Sequence, residues 1–286
     1  MKLFIFGLGY SALFFARSRR ALFTEIGGTV RGAAKAQALR AEGIAAHRFD
    51  GDFTAPEITP ALLSSGALLV SIPPQGAGDA ALARFGAALR GAKNLRSVIY
   101  LSTIGVYGDH QGAWIDERAA LRATNSRNVA RAKVEQDWLA LGARTGKNVH
   151  VLRLAGIYGP GQNQLEKLKR GVAQRVVKKD QVFNRIHVED IARAIDGALA
   201  HGTGGAWNVA DDEPAPPQDV IVFAASLLGM VPPPEIDFDT AELSPMARSF
   251  YGGNKRVSNA RMRGVLGVQL AFPTYREGLR AEMARG

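Results

Sequence analysis

The chain has 286 residues, which is enough to bury a large core in one large domain or in a domain with a small appendage. It is 47% hydrophobic and 22% charged, as globular proteins usually are, and it contains no cysteine. Disulfides, thiol catalysis and Cys-based zinc or iron–sulfur sites are therefore excluded. The net charge of +10 suggests anionic partners, but the basic residues are scattered, so we expect a solvated Arg-rich surface that attracts an anionic small molecule and no nucleic acid.

The opening stretch, residues 1–16, is an apolar run interrupted by Gly7, Gly9 and Ala12. This pattern predicts a strand, a tight turn and the first turns of a helix. Gly7 allows the turn, Gly9 lets a diphosphate approach the backbone, and Ala12 lets the helix pack closely on the strand. The predicted dinucleotide-binding loop consists of Gly7, Leu8, Gly9, Tyr10, Ser11 and Ala12.

The same stretch has the length of an export signal, because Lys2 precedes the apolar run. The two glycines, the arginines that follow and the lack of a small-residue cleavage site argue against export. No other run approaches the ~20 apolar residues needed to cross a bilayer. We therefore expect a cytoplasmic protein without a membrane partner.

The next segment bears on the choice of cofactor. We expect residues 17–28 to complete the first helix and its turn, and residues 29–31 to form a short second strand. An acidic residue at the end of this strand binds the ribose hydroxyls of NAD, whereas an arginine accommodates the 2′-phosphate of NADP. Arg31 stands here, with Lys35 close behind, so the sequence favours NADP over NAD.

The remaining elements alternate between strand and helix. Strands are predicted at residues 47–49, 67–72, 97–102, 148–154 and 206–209, and helices at 33–42, 79–90, 126–141, 188–200, 218–228 and 274–285. The alternation predicts an α/β fold with a doubly wound parallel sheet of about seven strands. Ligands bind at the carboxyl ends of such strands, so Asp50, Ser71, Ile72 and Pro73 are further candidate cofactor contacts.

Several motifs together resemble the extended short-chain dehydrogenase/reductase family, in its NAD-dependent epimerase/dehydratase-like group. The motifs are GLGYSA (7–12), LSTIGVYGD (101–109), LRLAGIYGPGQN (152–163), RIHVEDIARAI (185–195) and WNVADDEP (207–214). The ending NKRVSNARMRGVLG (254–267) is similar to the YeeZ-like branch of that family.

The resemblance implies a Rossmann-type domain with a small C-terminal cap on the substrate side. Residues 1–160 and 184–210 would form the NAD(P)-binding domain, and residues 161–183 and 211–286 the substrate-binding cap. The short insertion at 161–183 disfavours a nucleotide-sugar substrate. The resemblance also implies a homodimer through the helices near 79–90 and 126–141.

The family's chemistry uses a Ser or Thr beside the substrate oxygen, a Tyr that exchanges the proton, and a Lys four residues after the Tyr. Thr103 matches the hydroxyl residue. Two alignments of the helix near 126–141 stay open. One uses Lys133 and puts Val129 in the Tyr position; the other uses Glu135 and puts Arg127 and Arg131 in the Tyr and Lys positions.

Neither alignment supplies a phenol, because no tyrosine occurs between Tyr107 and Tyr158. Valine cannot transfer a proton, and an arginine stays protonated near neutrality. The candidate catalytic residues are therefore Thr103, Lys133, Tyr107 and His187, with Arg131 at the cofactor and Tyr158 and Arg185 at a small-molecule substrate. No metal-ligand spacing occurs. The implied function is an NADP(H)-dependent oxidoreductase or epimerase; the alternative is a non-catalytic redox-sensing or scaffold protein.

Overall fold

The computed structural model describes residues 1–51, 53–76 and 78–285. The chain separates into two compact units. The sheet unit comprises Met1–Thr103, Ser126–Arg153 and Ala194–Trp207, and the second unit comprises Ile104–Asn125, Leu154–Arg193 and Asn208–Gly286. The second unit thus includes residues 104–125, 154–160, 184–193 and 208–210, which the resemblance assigned to the NAD(P)-binding domain.

Within the described residues, the strands are numbered in chain order. They are β1 (Lys2–Phe6), β2 (Glu25–Val30), β3 (Ala45–Arg48), β4 (Ala67–Val70), β5 (Ser97–Thr103), β6 (Trp114–Ile115), β7 (Asn148–Leu154), β8 (Gly156–Tyr158), β9 (Arg175–Val177), β10 (Arg185–His187), β11 (Gly205–Val209), β12 (Glu235–Asp237) and β13 (Arg256–Val257).

The α-helices follow the same convention. They are α1 (Tyr10–Ser18), α2 (Ala33–Ala41), α3 (Ile58–Ser64), α4 (Ala80–Gly91), α5 (Ser126–Thr145), α6 (Gln164–Lys169), α7 (Val188–Ala200), α8 (Pro217–Leu227), α9 (Pro245–Phe250), α10 (Ala260–Val265) and α11 (Tyr275–Arg285). Short 3₁₀ helices occur at Arg20–Leu22 and Ile104–Tyr107.

The central sheet has seven strands in the order β11-β7-β5-β4-β1-β2-β3, which confirms the predicted α/β class and strand number. Strand β1 runs parallel to both of its neighbours, and Phe4 lies opposite Gly27 on one side and Leu68 on the other. The direction in which strands are added to the sheet reverses after β3, because β2 and β3 lie on one side of β1 and β4 lies on the other. In open α/β sheets such a reversal opens a crevice at the carboxyl ends of the strands, where ligands bind.

The prediction for the second strand was wrong at its start. Strand β2 begins at Glu25, four residues before the expected position, and includes Gly27 and Gly28. A Cβ atom on Gly28 would lie 2.8 Å from the carbonyl oxygen of Ile5 and 3.0 Å from the Leu8 side chain. The glycines therefore permit close strand packing, whereas the sequence suggested a turn.

The other predicted elements lie where expected, with ends displaced by a few residues. Helix α7 has the predicted bounds, and α11 begins one residue later than predicted. Helices α3, α6, α9 and α10 were missed, as were the short parallel pairs β8/β10, β9/β12 and β6/β13. Strands of two or three residues carry too little periodicity to be recognised in a sequence.

Each unit has its own core. In the sheet unit, aromatic side chains of β1 and α4 pack with Tyr100 and Trp138, whose rings stack 6.5 Å apart. In the second unit, α6, α8 and α11 surround Tyr158 and Tyr275, and a smaller cluster forms around Tyr251. None of the described helices is both long and apolar enough to cross a membrane.

Candidate functional site

The turn after β1 requires glycine for two reasons. Gly7 has φ +89°, a left-handed conformation that side chains disfavour, and a Cβ atom there would lie 2.7 Å from Cγ2 of Ile72. Its backbone N–H donates to Oγ1 of Thr29 at 2.9 Å. The predicted contact residue Ile72 thus fixes the turn from the neighbouring strand end.

Gly9 serves a different purpose from Gly7. It is the N-cap of α1 in an extended conformation, so other residues could adopt its backbone angles, and no side chain caps the helix. A Cβ atom on Gly9 would meet nothing within 4 Å. The first N–H groups of a helix seek acceptors, and they carry the positive end of the helix dipole. The N-terminus of α1 therefore faces open space that an anionic group can enter.

The other loop residues support this geometry. Leu8 is buried and donates its N–H to the carbonyl of Thr29 at 2.9 Å, and Ala12 is fully buried, as expected for close helix packing. Nζ of Lys35 donates to the Leu8 carbonyl at 2.8 Å. Ser11 is buried, whereas Tyr10 is only half-buried. The predicted loop is thus a compact, hydrogen-bonded structure.

The remaining predicted cofactor contacts lie at neighbouring strand ends. Arg31 is exposed and directly follows β2, and Ser71 follows β4, with its N–H bonded to the carbonyl of Phe6 at 2.8 Å. Pro73 is exposed two residues further on. Asp50 is different, because its carboxylate accepts a hydrogen bond from the N–H of Phe53 and forms an ion pair with the guanidinium of Arg48 at 2.7 Å. That engagement within its own loop does not favour the predicted cofactor contact.

A buried polar group anchors α5 to the sheet. The carboxylate of Glu135 accepts from Oγ of Ser102 at 2.5 Å and from Nη2 of Arg153 at 2.8 Å. All three side chains are buried. Because Ser102 is in β5 and Arg153 is in β7, this arrangement fixes which face of α5 lies against the sheet.

The fixed face of α5 distinguishes the two alignments. Nη1 of Arg131 donates to the carbonyl of Leu101 at 3.0 Å and contacts the hydroxyl of Tyr100 at 3.5 Å. Lys133 instead points away, with its side chain 57% exposed and paired with Asp137 at 2.8 Å.

Val129 and Arg127 are both exposed, so the alignments are distinguished by Arg131 and Lys133 alone. The structure thus favours the alignment that puts Arg127 and Arg131 in the positions of the family's Tyr and Lys, and it gives Lys133 no place at the strand ends. Thr103, the predicted hydroxyl residue, is the half-buried last residue of β5.

In the second unit, the predicted proton-transfer residues are buried. The hydroxyl of Tyr107 donates to Oδ1 of Asn208 at 2.7 Å. His187 accepts from the N–H of Glu189 at Nδ1, and its Nε2 lies 3.3 Å from Glu282. Neither ring is exposed to solvent, so the structure favours structural roles over the predicted catalytic ones.

The predicted substrate residues also lie in the second unit. Nη1 of Arg185 donates to the carbonyls of Phe183 and Ala215, and its guanidinium lies 5.7 Å from the ring centre of Tyr275. Tyr158 is buried, and burial raises the pKa of its hydroxyl far above the usual value. Both side chains therefore help to hold the unit together.

Sequence reasoning missed two buried ionisable groups in the second unit. Burial raises the pKa of Asp211 well above its usual value, although the Arg185 charge opposes this. Lys255 donates to the carbonyl of Gly108 at 2.8 Å, and burial lowers its pKa to about 8. Both lie within family-like motifs of the sequence, but their burial depends on tertiary packing. Among the described residues, no cluster of three or more His, Asp or Glu could hold a metal ion.

Comparison with known proteins identifies the family. A family model for the NAD dependent epimerase/dehydratase family matches residues 82–210. A solved protein from Silicibacter pomeroyi DSS, described as a functionally unknown conserved protein, is 44% identical with a TM-score of 0.89, and the match covers 99% of this chain and 98% of that one. The chain belongs to the NAD-dependent epimerase/dehydratase family.

Two further proteins are similar to this chain over nearly its whole length. Protein YeeZ of Escherichia coli (strain K12) is 29% identical over 95% of this chain and 96% of its own length, in line with the predicted branch. UDP-glucuronic acid 4-epimerase from Bacillus cereus, solved in complex with NAD, is 16% identical with a TM-score of 0.79, covering 99% of this chain and 96% of that one. At that identity the likeness confirms the Rossmann-type fold alone.

Proposed function

We propose that this chain binds NADP(H) at the glycine loop of its sheet unit and acts as an oxidoreductase or epimerase with an atypical active site. The observation that carries the proposal is the open N-terminus of α1, where Gly9 leaves space for a diphosphate. Family membership and the relative solved with NAD support a dinucleotide as the occupant. A bound dinucleotide supplies hydride donation or acceptance at its nicotinamide ring.

The residues of the sheet unit fit such a group. The N–H groups at the start of α1 would hold the diphosphate, and the small residue Ala12 keeps the helix close to β1. Arg31 has no carboxylate partner among the described residues, so its guanidinium is available to a 2′-phosphate. This is the basis for proposing NADP over NAD.

The position of Arg131 suggests how the sheet unit binds the nicotinamide end of the cofactor. Its guanidinium lies beside the last residues of β5, where we propose that it replaces the family's Lys in binding the ribose. A guanidinium holds its protons throughout the neutral range, so Arg131 binds and orients without exchanging a proton. Thr103, at the end of the same strand, can donate a hydrogen bond to a substrate oxygen.

The arginines on α5 also favour a second function. If no other group replaces the missing phenol, the protein binds NADP(H) without turnover and acts as a redox sensor or scaffold. A partner that distinguishes NADP from NADPH would then be required, because a ligand shifts an equilibrium only through differential affinity. The small-molecule substrate and the homodimer stay predictions.

The binding test is calorimetric titration of the purified protein with NADPH and NADH. We expect tighter binding of NADPH. Gly9→Val should remove binding of both cofactors and leave the melting temperature nearly unchanged, because valine fits the backbone angles at this position and its Cβ atom would meet no other atom within 4 Å. Retained binding in Gly9→Val would contradict the proposed site.

The cofactor preference has its own test. Arg31→Asp should weaken NADPH binding at least tenfold and leave NADH binding nearly unchanged. Arg84→Asp, at an exposed position of α4, makes the same charge change and should alter neither. An equal loss for both cofactors in Arg31→Asp would refute a 2′-phosphate contact.

Turnover is tested separately, with NADP(H) and a panel of carbonyl compounds, alcohols and nucleotide sugars. Cofactor oxidation, cofactor reduction or epimer formation would support the enzyme. Tight NADPH binding with no turnover across the panel would favour the sensor or scaffold.

A further inference from the structure

A second concave surface of the sheet unit lies at the amino ends of the strands. It is a pocket of about 500 Å³ formed where α4 ends, where β5 begins and where α5 turns into β7. The N–H of Asn148 donates to the carbonyl of Arg96 at 2.9 Å, which ties the two strand starts together. The glycine loop follows the carboxyl end of β1, so the pocket and the loop lie at opposite ends of the parallel strands.

The charges that line this pocket are all of one sign. Arg90, Lys93, Arg96 and Lys147 line it, and no Asp or Glu does. Within the described part of the chain, none of these four side chains forms an ion pair or a hydrogen bond. Other basic side chains of the sheet unit form ion pairs with carboxylates. Examples are Arg17 with Glu42 and Lys133 with Asp137.

Helix termini explain part of this charge. Helices α4 and α5 both end at the pocket, at Gly91 and Thr145. Each C-terminus carries roughly −0.5 of an elementary charge, which favours nearby cations. Two helix ends thus offset about one of the four positive charges, and a net charge of about +3 is left.

We propose that this pocket binds a small molecule bearing several phosphate groups. Guanidinium groups bind phosphate oxygens in pairs, and lysine adds a mobile point charge, so the four side chains suit a ligand with adjacent phosphates. The volume lies in the range of small-molecule sites, and the charge of the lining favours a polyphosphate or a nucleoside polyphosphate. This site is separate from the dinucleotide site and does not depend on it.

The test uses inorganic tripolyphosphate as the probe and the full-length protein in calorimetric titration. We expect the wild type to bind, and Lys93→Glu/Arg96→Glu to lose at least tenfold in affinity. Arg84→Glu/Arg17→Glu changes the net charge equally at exposed positions outside the pocket and should keep wild-type affinity. Gly9→Val should also bind normally, because the glycine loop is at the other end of the sheet.

Each opposite outcome would overturn the proposal. If the wild-type protein does not bind tripolyphosphate, the proposed site is refuted. Equal losses in the two double variants would assign the effect to overall charge, and a loss in Gly9→Val would assign it to the glycine loop. Tighter binding of a single-stranded oligonucleotide, with the same dependence on Lys93 and Arg96, would replace the small molecule by nucleic acid.

Discussion

The glycine loop and the inner face of α5 belong to the same unit but match the family's sequence pattern to different extents. The loop has the features that dinucleotide binding requires, from the left-handed turn at Gly7 to the open helix end at Gly9. The face of α5 contacts β5 through Arg131, and in the alignment that the structure favours Arg131 and Arg127 take the positions of the family's lysine and tyrosine. In the proposed function, cofactor binding and proton transfer depend on different segments, so the first can be retained without the second.

The largest expected effect tests whether α5 is fixed against the sheet. Glu135→Ala leaves the buried Arg153 without its carboxylate, and we expect a loss of about 3–5 kcal/mol in the free energy of unfolding. Asp137→Ala breaks the exposed pair with Lys133 and should cost no more than about 1 kcal/mol. Urea denaturation measures both. Equal losses would mean that the buried pair does not anchor the helix.

The second prediction concerns the loss of folding stability at acid pH, which we assign to a residue outside both the glycine loop and α5. His150, on β7, is fully buried, accepts from Nε1 of Trp207 at 3.2 Å, and has a pKa lowered to about 4, mainly by burial and also by the neighbouring His201. In the unfolded chain this histidine titrates near 6.5. Below that pH the unfolded chain binds a proton that the folded protein excludes, so stability falls as the pH drops towards 4.

We expect this histidine to account for about 2 kcal/mol of lost stability between pH 7 and pH 5. The comparison is urea denaturation at both pH values for the wild type and His150→Asn, whose side-chain oxygen can still accept from Trp207. The variant should lose less stability on acidification. An unchanged pH dependence would place the acid-sensitive group elsewhere in the molecule, with the glycine loop and α5 as the next regions to test.

The smallest expected effect distinguishes the two alignments of α5. Arg131→Ala should weaken NADPH binding about tenfold, which corresponds to about 1.4 kcal/mol, because one charge-assisted contact to the cofactor is lost. Lys133→Ala, two residues away on the exposed side, should leave the affinity unchanged. Calorimetric titration measures both. The reverse result would restore the alignment in which Lys133 is the family's lysine.

Much of the fold could be predicted because its signals are local. The apolar run of β4, the amphipathic α7 and the proline at the start of α8 each appear within a dozen residues. The glycine loop was equally clear, since its function depends on backbone shape and only a few residue types provide that shape. The candidate site was less predictable, because Tyr107 and His187 occur in loops that suggested exposure, yet their partners Asn208 and Glu282 are about 100 residues away.

The sequence by itself determined the alternation of strands and helices, the glycine loop after β1 and the absence of a tyrosine on α5. Only the tertiary structure decided that Gly27 and Gly28 belong to a strand, that Arg131 and not Lys133 lies beside β5, and that four cations share one pocket at the amino ends of the strands. The physical reason is the same in each case. Propensity and periodicity act between near neighbours, whereas close packing, burial and charge accumulation depend on segments that are far apart in the chain.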